Sequence, residues 1–215
     1  MLPRASFHPF LVTALLSGAL SAATPPPSPP FDSVAPTLRA KPIAHLLMGQ
    51  FVIFLEVTGL RNVRNIIGVG PMSFKGDGAE ATSWVCYTLD SSLPHQRLWI
   101  MSNAEMGGSE RLVDGVTARF EDRAAATPEC PSLPKRFQPV SFDHGVWLGE
   151  TQSSIRLAFG SPSKVVGQWR EYYYSGKTRD DGKCTPDGYD VVSGFAIKVE
   201  HDRITQINAS QVTSC

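Results

Sequence analysis

Two stretches of this chain run through the same order of residues. A repeat constrains a fold more tightly than local propensity does, because one supersecondary unit must serve both copies. Ile53 to Pro71 and Val146 to Pro162 each pass from an apolar strand end to a threonine, Thr58 or Thr151. Apolar residues follow at i, i+3 and i+4 (Val63, Ile66, Ile67; Ile155, Ala158, Phe159), then a glycine, Gly68 or Gly160, then proline. This order predicts a short helix with a threonine N-cap, one apolar face and a left-handed glycine at its end.

The likeness continues downstream. Trp169 to Tyr174 parallels Trp84 to Leu89 as a strand, and the alternating Phe195 to Val199 parallels Leu98 to Met101. A turn at His201-Asp202-Arg203 and a strand over Ile204 to Ile207 match Asp114-Gly115, a hairpin signal, followed by Val116 to Phe120. Each copy ends at a cysteine, Cys130 or Cys215, while Ser102 to Val113 has no counterpart in the second copy and reads as a loop or an added strand. The expected fold class is therefore α+β: two tandem units, 43–130 and 131–215, each a helical segment packed on an antiparallel sheet. The apolar run Ile43 to Val57 is too short and too interrupted to span a membrane and reads as a buried element of the core.

The ends of the chain say where it works. Residues 1–23 carry Arg4, an apolar run from Phe10 to Leu20 and the small residues Ser21-Ala22-Ala23, the pattern of a secretory signal peptide. Residues 24–42 hold Pro25, Pro26, Pro27, Pro29, Pro30, Pro36 and Pro42, which predicts an extended, solvated leader. Without Arg4, nineteen Lys and Arg face twenty Asp and Glu, a balance that argues against nucleic acid as a partner. No stable membrane span is expected in the mature chain. The expected compartment is periplasmic or secreted, where four cysteines read as two disulfides. Since Cys130 and Cys215 close their copies, each is expected to pair within its own unit, giving Cys86–Cys130 and Cys184–Cys215.

The segment from Leu148-Gly149-Glu-Thr151 to Gly160-Ser-Pro162 resembles the helix opening shared by the outer-membrane assembly factor BamE (SmpA/OmlA) and the secreted β-lactamase inhibitor protein. BamE-like domains are single units, whereas the inhibitor has two in tandem, each with a disulfide, and grips its enzyme with a sheet. The tandem order here is similar to the inhibitor. The first copy departs from the pattern, with Glu56 near the expected glycine and an extra residue before Val63. The resemblance implies an exported, non-catalytic module that binds a protein partner, of the enzyme-inhibitor type. The alternative it implies is an envelope assembly or structural factor of the BamE type. It carries over no contact residue.

The remaining constellations were weighed for chemistry. Asp143-His144 and His201-Asp202 are the acid–base candidates, but no nucleophile elbow or metalloprotease motif accompanies them, and no catalytic residue is assigned. Asp180, Asp181, Asp187 and Asp190 lie in a glycine-rich loop whose spacing does not fit the EF-hand, so no metal and no cofactor are assigned. The aromatic strand is the binding candidate. Alternation puts Trp169, Glu171 and Tyr173 on one face and Arg170, Tyr172 and Tyr174 on the other. Trp169, Arg170, Tyr172 and Tyr174 are of the types enriched at binding hot spots, and cross-strand packing is the other reading of the same residues.

Overall fold

The apolar run after Ile43 folds back on itself as a hairpin, β1 (His45–Met48) against β2 (Phe51–Phe54). Gly49 makes the turn at φ 60°, and a Cβ there would run into the Arg136 carbonyl. Ile43, Leu46, Met48, Ile53 and Leu55 are buried, as expected of this run. These observations come from a computed structural model, which describes residues 24–30, 35–78, 81–89, 94–103, 111–122, 125–178 and 188–214.

Among the described residues, two α-helices and ten strands follow the first strand. The helices are α1 (Leu60–Ile67) and α2 (Gln152–Phe159). The strands of the first half are β3 (Ser73–Lys75), β4 (Thr82–Leu89), β5 (His95–Asn103) and β6 (Gly115–Glu121). After β7 (Val140–Phe142), the second half adds β8 (Lys164–Val166), β9 (Trp169–Thr178), β10 (Tyr189–Glu200) and β11 (Arg203–Ser214). Both halves thus run helix, then four antiparallel strands. The eight strands form one sheet, in the order β3-β4-β5-β6-β11-β10-β9-β8, with β6 and β11 paired antiparallel at its centre. A smaller sheet, β2-β1-β7, lies beside it.

This overturns the expected fold class. The chain is mostly β, and its two helices are eight residues each, too short to form a layer of their own. Nor are the halves separate helix-on-sheet units. The seam from β6 to β11 makes one continuous sheet, and β1 of the first stretch pairs with β7 of the second, Leu46 opposite Phe142. Helix signals were read correctly in position but overweighted, because strands extend by ladder hydrogen bonds to neighbours that the local pattern does not contain. The alternating run Phe195 to Val199, for example, is the middle of a twelve-residue strand.

The local signals fared unequally. Thr151 caps α2 by accepting from the Ser154 N–H at 3.2 Å. Thr58 does not cap α1: Gly59 holds that position, and the Thr58 hydroxyl accepts from Phe54 N–H at 3.0 Å. Gly68 and Gly160 end their helices at φ 81° and 80°. On α1, Leu60, Val63 and Ile67 are buried while Ile66 is exposed; on α2 only Ile155 is buried, and Ala158 faces solvent. Asp114-Gly115 is not a hairpin turn. Asp114 is buried, its carboxylate accepting from Asn103 N–H at 2.9 Å, and burial pushes its pKa up to about 6. The predicted Cys86–Cys130 bridge is present. Cys184 and Cys215 lie outside the described residues, as does the segment 1–23.

Candidate functional site

Strand register assigns every side chain of the large sheet to one of two faces. The helices and the small sheet pack against one of them. That face carries Tyr87, Leu98, Val116, Ala118, Tyr172, Phe195, Ile197 and Ile207 within the main core. The other face has neither helix over it among the described residues. One row of directly paired residues crosses it strand by strand: Cys86, Trp99, Thr117, Asn208, Ala196 and Glu171, on β4, β5, β6, β11, β10 and β9.

The first half of this open face is itself apolar. Trp84, Cys86, Trp99 and Cys130 form a second small core, with Met101 against it. The disulfide therefore fastens a β4 residue to the segment that runs past the open face. Arg119 and Arg97 flank the Trp99 ring, their guanidinium carbons 5.3 and 6.0 Å from its centroid. Glu121 orients both, at 2.5 Å from Arg119 and 3.1 Å from Arg97. Such contacts each contribute about 0.5–1 kcal/mol when partly exposed. Arg97, Arg119 and Glu121, with Thr24, Asp122, Lys198 and Glu200, line a cleft of about 620 Å³. Cations and acids balance there, and the hydrogen bond from Lys198 holds the Glu200 carboxyl below its usual range.

The second half of the open face is polar. Asn208 donates to Thr117 Oγ1 at 2.9 Å, while its own side-chain oxygen accepts from Gln206 Nε2 at 2.9 Å. Glu171 is buried and burial pushes its pKa up to about 7, with Lys164 partly offsetting the effect. Its Oε2 has no hydrogen-bond partner among the described residues. Gly194, opposite Tyr173, leaves the space for this carboxyl: a Cβ there would stand 3.1 Å from Glu171 Oε1.

The leader is not solvated throughout, which corrects the expectation. Thr24 carbonyl accepts from the Trp99 indole N–H at 2.9 Å, and Pro27 carbonyl accepts from Asn208 Nδ2 at 2.7 Å. Trp99 is fully buried. Further along, Thr37 and Leu38 N–H groups donate to the Tyr173 carbonyl at 3.1 and 3.2 Å.

The four residues predicted for binding are not brought together. Trp169 is on the open face, half-buried, opposite Lys198. Arg170, Tyr172 and Tyr174 are on the covered face. Tyr172 is fully buried against Phe159 and Phe195, with centroids 5.6 and 6.3 Å away, and burial raises its phenol pKa. Arg170 hydrogen-bonds the Gly167 carbonyl at 2.8 Å. Trp99, Arg97, Arg119 and Asn208 were missed. The signal for Trp99 and Arg97 was present: Arg97-Leu-Trp-Ile-Met carries large side chains on both parities, so one of its apolar sets must leave the main core.

The acid–base candidates separate as well. Asp143 pairs with His45 at 2.5 Å, whereas His144 packs edge-on against Phe159 at 5.5 Å. His201 and Asp202 form the β10–β11 turn, both in the left-handed region. Of the acidic loop, Asp190 alone is described, bonded to Lys177 at 3.0 Å; Asp180, Asp181 and Asp187 lie outside the described residues. No helix of the described residues is long and apolar enough to cross a membrane. No protein family, curated protein or solved structure matches this chain.

Proposed function

We propose that this chain is an exported, non-catalytic protein-binding module that engages its partner with the open face of the eight-stranded sheet. One observation carries this reading. A sheet face with no helix over it among the described residues sets Arg97 and Arg119 against the buried Trp99 and carries Trp169 on β9, in a chain whose main core is already built on the other face. Tryptophan and arginine dominate binding hot spots because they combine large apolar area with directed hydrogen bonds. The Cys86–Cys130 bridge supports export, since such bonds persist in oxidising compartments. The resemblance to the β-lactamase inhibitor protein supports inhibition of an enzyme as the outcome of binding.

The test is capture of a partner from an extract of the native envelope by the full chain. Arg119→Glu reverses charge beside Trp99 and is expected to weaken capture at least tenfold. Leu157→Glu, on the exposed side of α2, is expected to leave capture unchanged. Equal capture by both variants would remove the open face from the interaction.

A further inference from the structure

Thr24 and Pro27 are three residues apart, and their carbonyls are taken by two side-chain donors, Trp99 and Asn208. Those donors stand two strands apart in one row, with Thr117 between them. At about 4.8 Å per strand the two strands that carry the donors are separated by about 9.6 Å. A polyproline II helix has three residues per turn and rises about 3.1 Å per residue, so its equivalent carbonyls recur every 9.3 Å or so, approximately. The two periods coincide. A proline-rich chain crossing the strands therefore presents one carbonyl to every second strand, in step with the donors.

A second step of the same length along the row leads from Asn208 past Ala196 to Glu171. Glu171 lines a cavity of about 140 Å³ beneath Pro26, Pro27 and Pro29, with its Oε2 unpartnered among the described residues. In its protonated form, which burial favours, this carboxyl is a donor like the other two. Proline suits such a site: it lacks an N–H that would need a partner, and its carbonyl is left to accept. The donors are also preset, because Gln206 and Thr117 hold Asn208 and the two arginines flank Trp99.

We propose that the row Trp99, Asn208 and Glu171 on the open face is a docking site for an extended, proline-rich segment of a partner protein, with Thr24–Pro30 occupying it in cis. The inference rests on the open face being the binding surface and adds the chemistry of what it binds. A tethered occupant competes at an effective concentration in the millimolar range, so the partner segment binds the intact chain only by displacing the leader.

The experiment uses the full chain with Pro25, Pro26, Pro27, Pro29 and Pro30 replaced by Ser, which leaves every sheet residue in place. A synthetic peptide Thr-Pro-Pro-Pro-Ser-Pro-Pro with blocked ends is titrated into it by calorimetry. The loosened variant is expected to bind the peptide at least tenfold more tightly than the unaltered chain, and adding Asn208→Ala is expected to lose at least tenfold. No binding at millimolar peptide, or binding indifferent to Asn208→Ala, overturns the proposal. So does a loosened variant that fails to fold, because the leader is then a part of the core. In the chain with its leader unaltered, Asn208→Ala is expected to speed exchange of the Trp99 indole proton at least tenfold by NMR; unchanged exchange also counts against it. A loosened variant that captures the Arg119-dependent partner but ignores the peptide overturns this inference and leaves the proposed function standing.

Discussion

The two halves of the large sheet share an order of elements and differ in where they place apolar mass. The first half buries Leu60, Val63 and Ile67 from its helix, and it builds a second core on the open face around Trp84, Trp99 and the Cys86–Cys130 bridge. The second half buries only Ile155 from its helix and leaves Leu157 90% exposed. Its open face is polar rather than apolar, through Gln206, Asn208 and Glu171. The same succession of helix and strands therefore fixes topology without fixing the packing load. One half is stabilised on both faces and the other is stabilised on one.

This contrast can be broken most forcefully at the disulfide. Replacing Cys86 and Cys130 by Ala opens a loop of 44 residues, and the loss expected from freeing the unfolded chain is about 4 kcal/mol in urea unfolding. A loss under about 1 kcal/mol would mean that the second core carries little of the first half. Next is the contrast between helices. Leu60→Ala is expected to cost about 3 kcal/mol, and Leu157→Ala less than about 0.5. Equal losses would show that α2 is packed as deeply as α1.

The third test concerns Glu171. Its pKa in the folded chain, about 7, lies above the ordinary carboxyl value of 4.5. Its contribution to stability is thus fully present below about pH 4.5 and is lost as pH rises through about 7. Glu171→Gln does not titrate, so relative to the parent it is expected to gain stability between about pH 4.5 and pH 8, by up to about 3 kcal/mol. A difference that does not change with pH would place Glu171 in contact with solvent. The smallest contrast is expected at the helix ends, where no neighbour lies within 4 Å of an added Cβ. Gly68→Ala puts that Cβ at φ 81°, ψ 2°, the left-handed region, at a torsional cost of about 1 kcal/mol. Gly160→Ala puts it at φ 80°, ψ −145°, a region that glycine alone enters freely, and should cost somewhat more, about 1–3 kcal/mol.

Much of the element order was legible. Thr151 as N-cap, the glycine helix ends and the strands around Trp84 and Trp169 follow from short-range chemistry and spacing, and the Cys86–Cys130 pairing, 44 positions apart, from the order of the repeat. What failed was decided by other partners far away in sequence. The parity of the strand from Trp169 to Tyr174 was read correctly, but which parity faces the core was settled by Phe159 and Phe195, and Tyr172 went inward. Proline content led to the expectation of a solvated leader, yet Trp99 and Asn208 donate hydrogen bonds to its carbonyls. The fold class failed for the same reason: the β6–β11 seam joins residues that no local pattern connects.

That seam also sets the order in which the chain can assemble. Turn-linked partners such as Glu200 and Arg203 are three positions apart, and Met101 and Gly115 are fourteen apart. Across the seam, Arg119 meets Gln206, 87 positions away. Closing so long a loop costs entropy before any contact offsets it, so non-local pairing is slow. We therefore expect hairpin amides of β4–β5 and β9–β10 to gain protection first in pulsed hydrogen exchange. The amides that bind β6 to β11 are expected to follow in a separate, slower phase. The docking row, which needs Trp99 from one side of the seam and Asn208 from the other, comes into being only at that last step. Simultaneous protection of hairpins and seam would show instead that the two halves fold as a single cooperative unit.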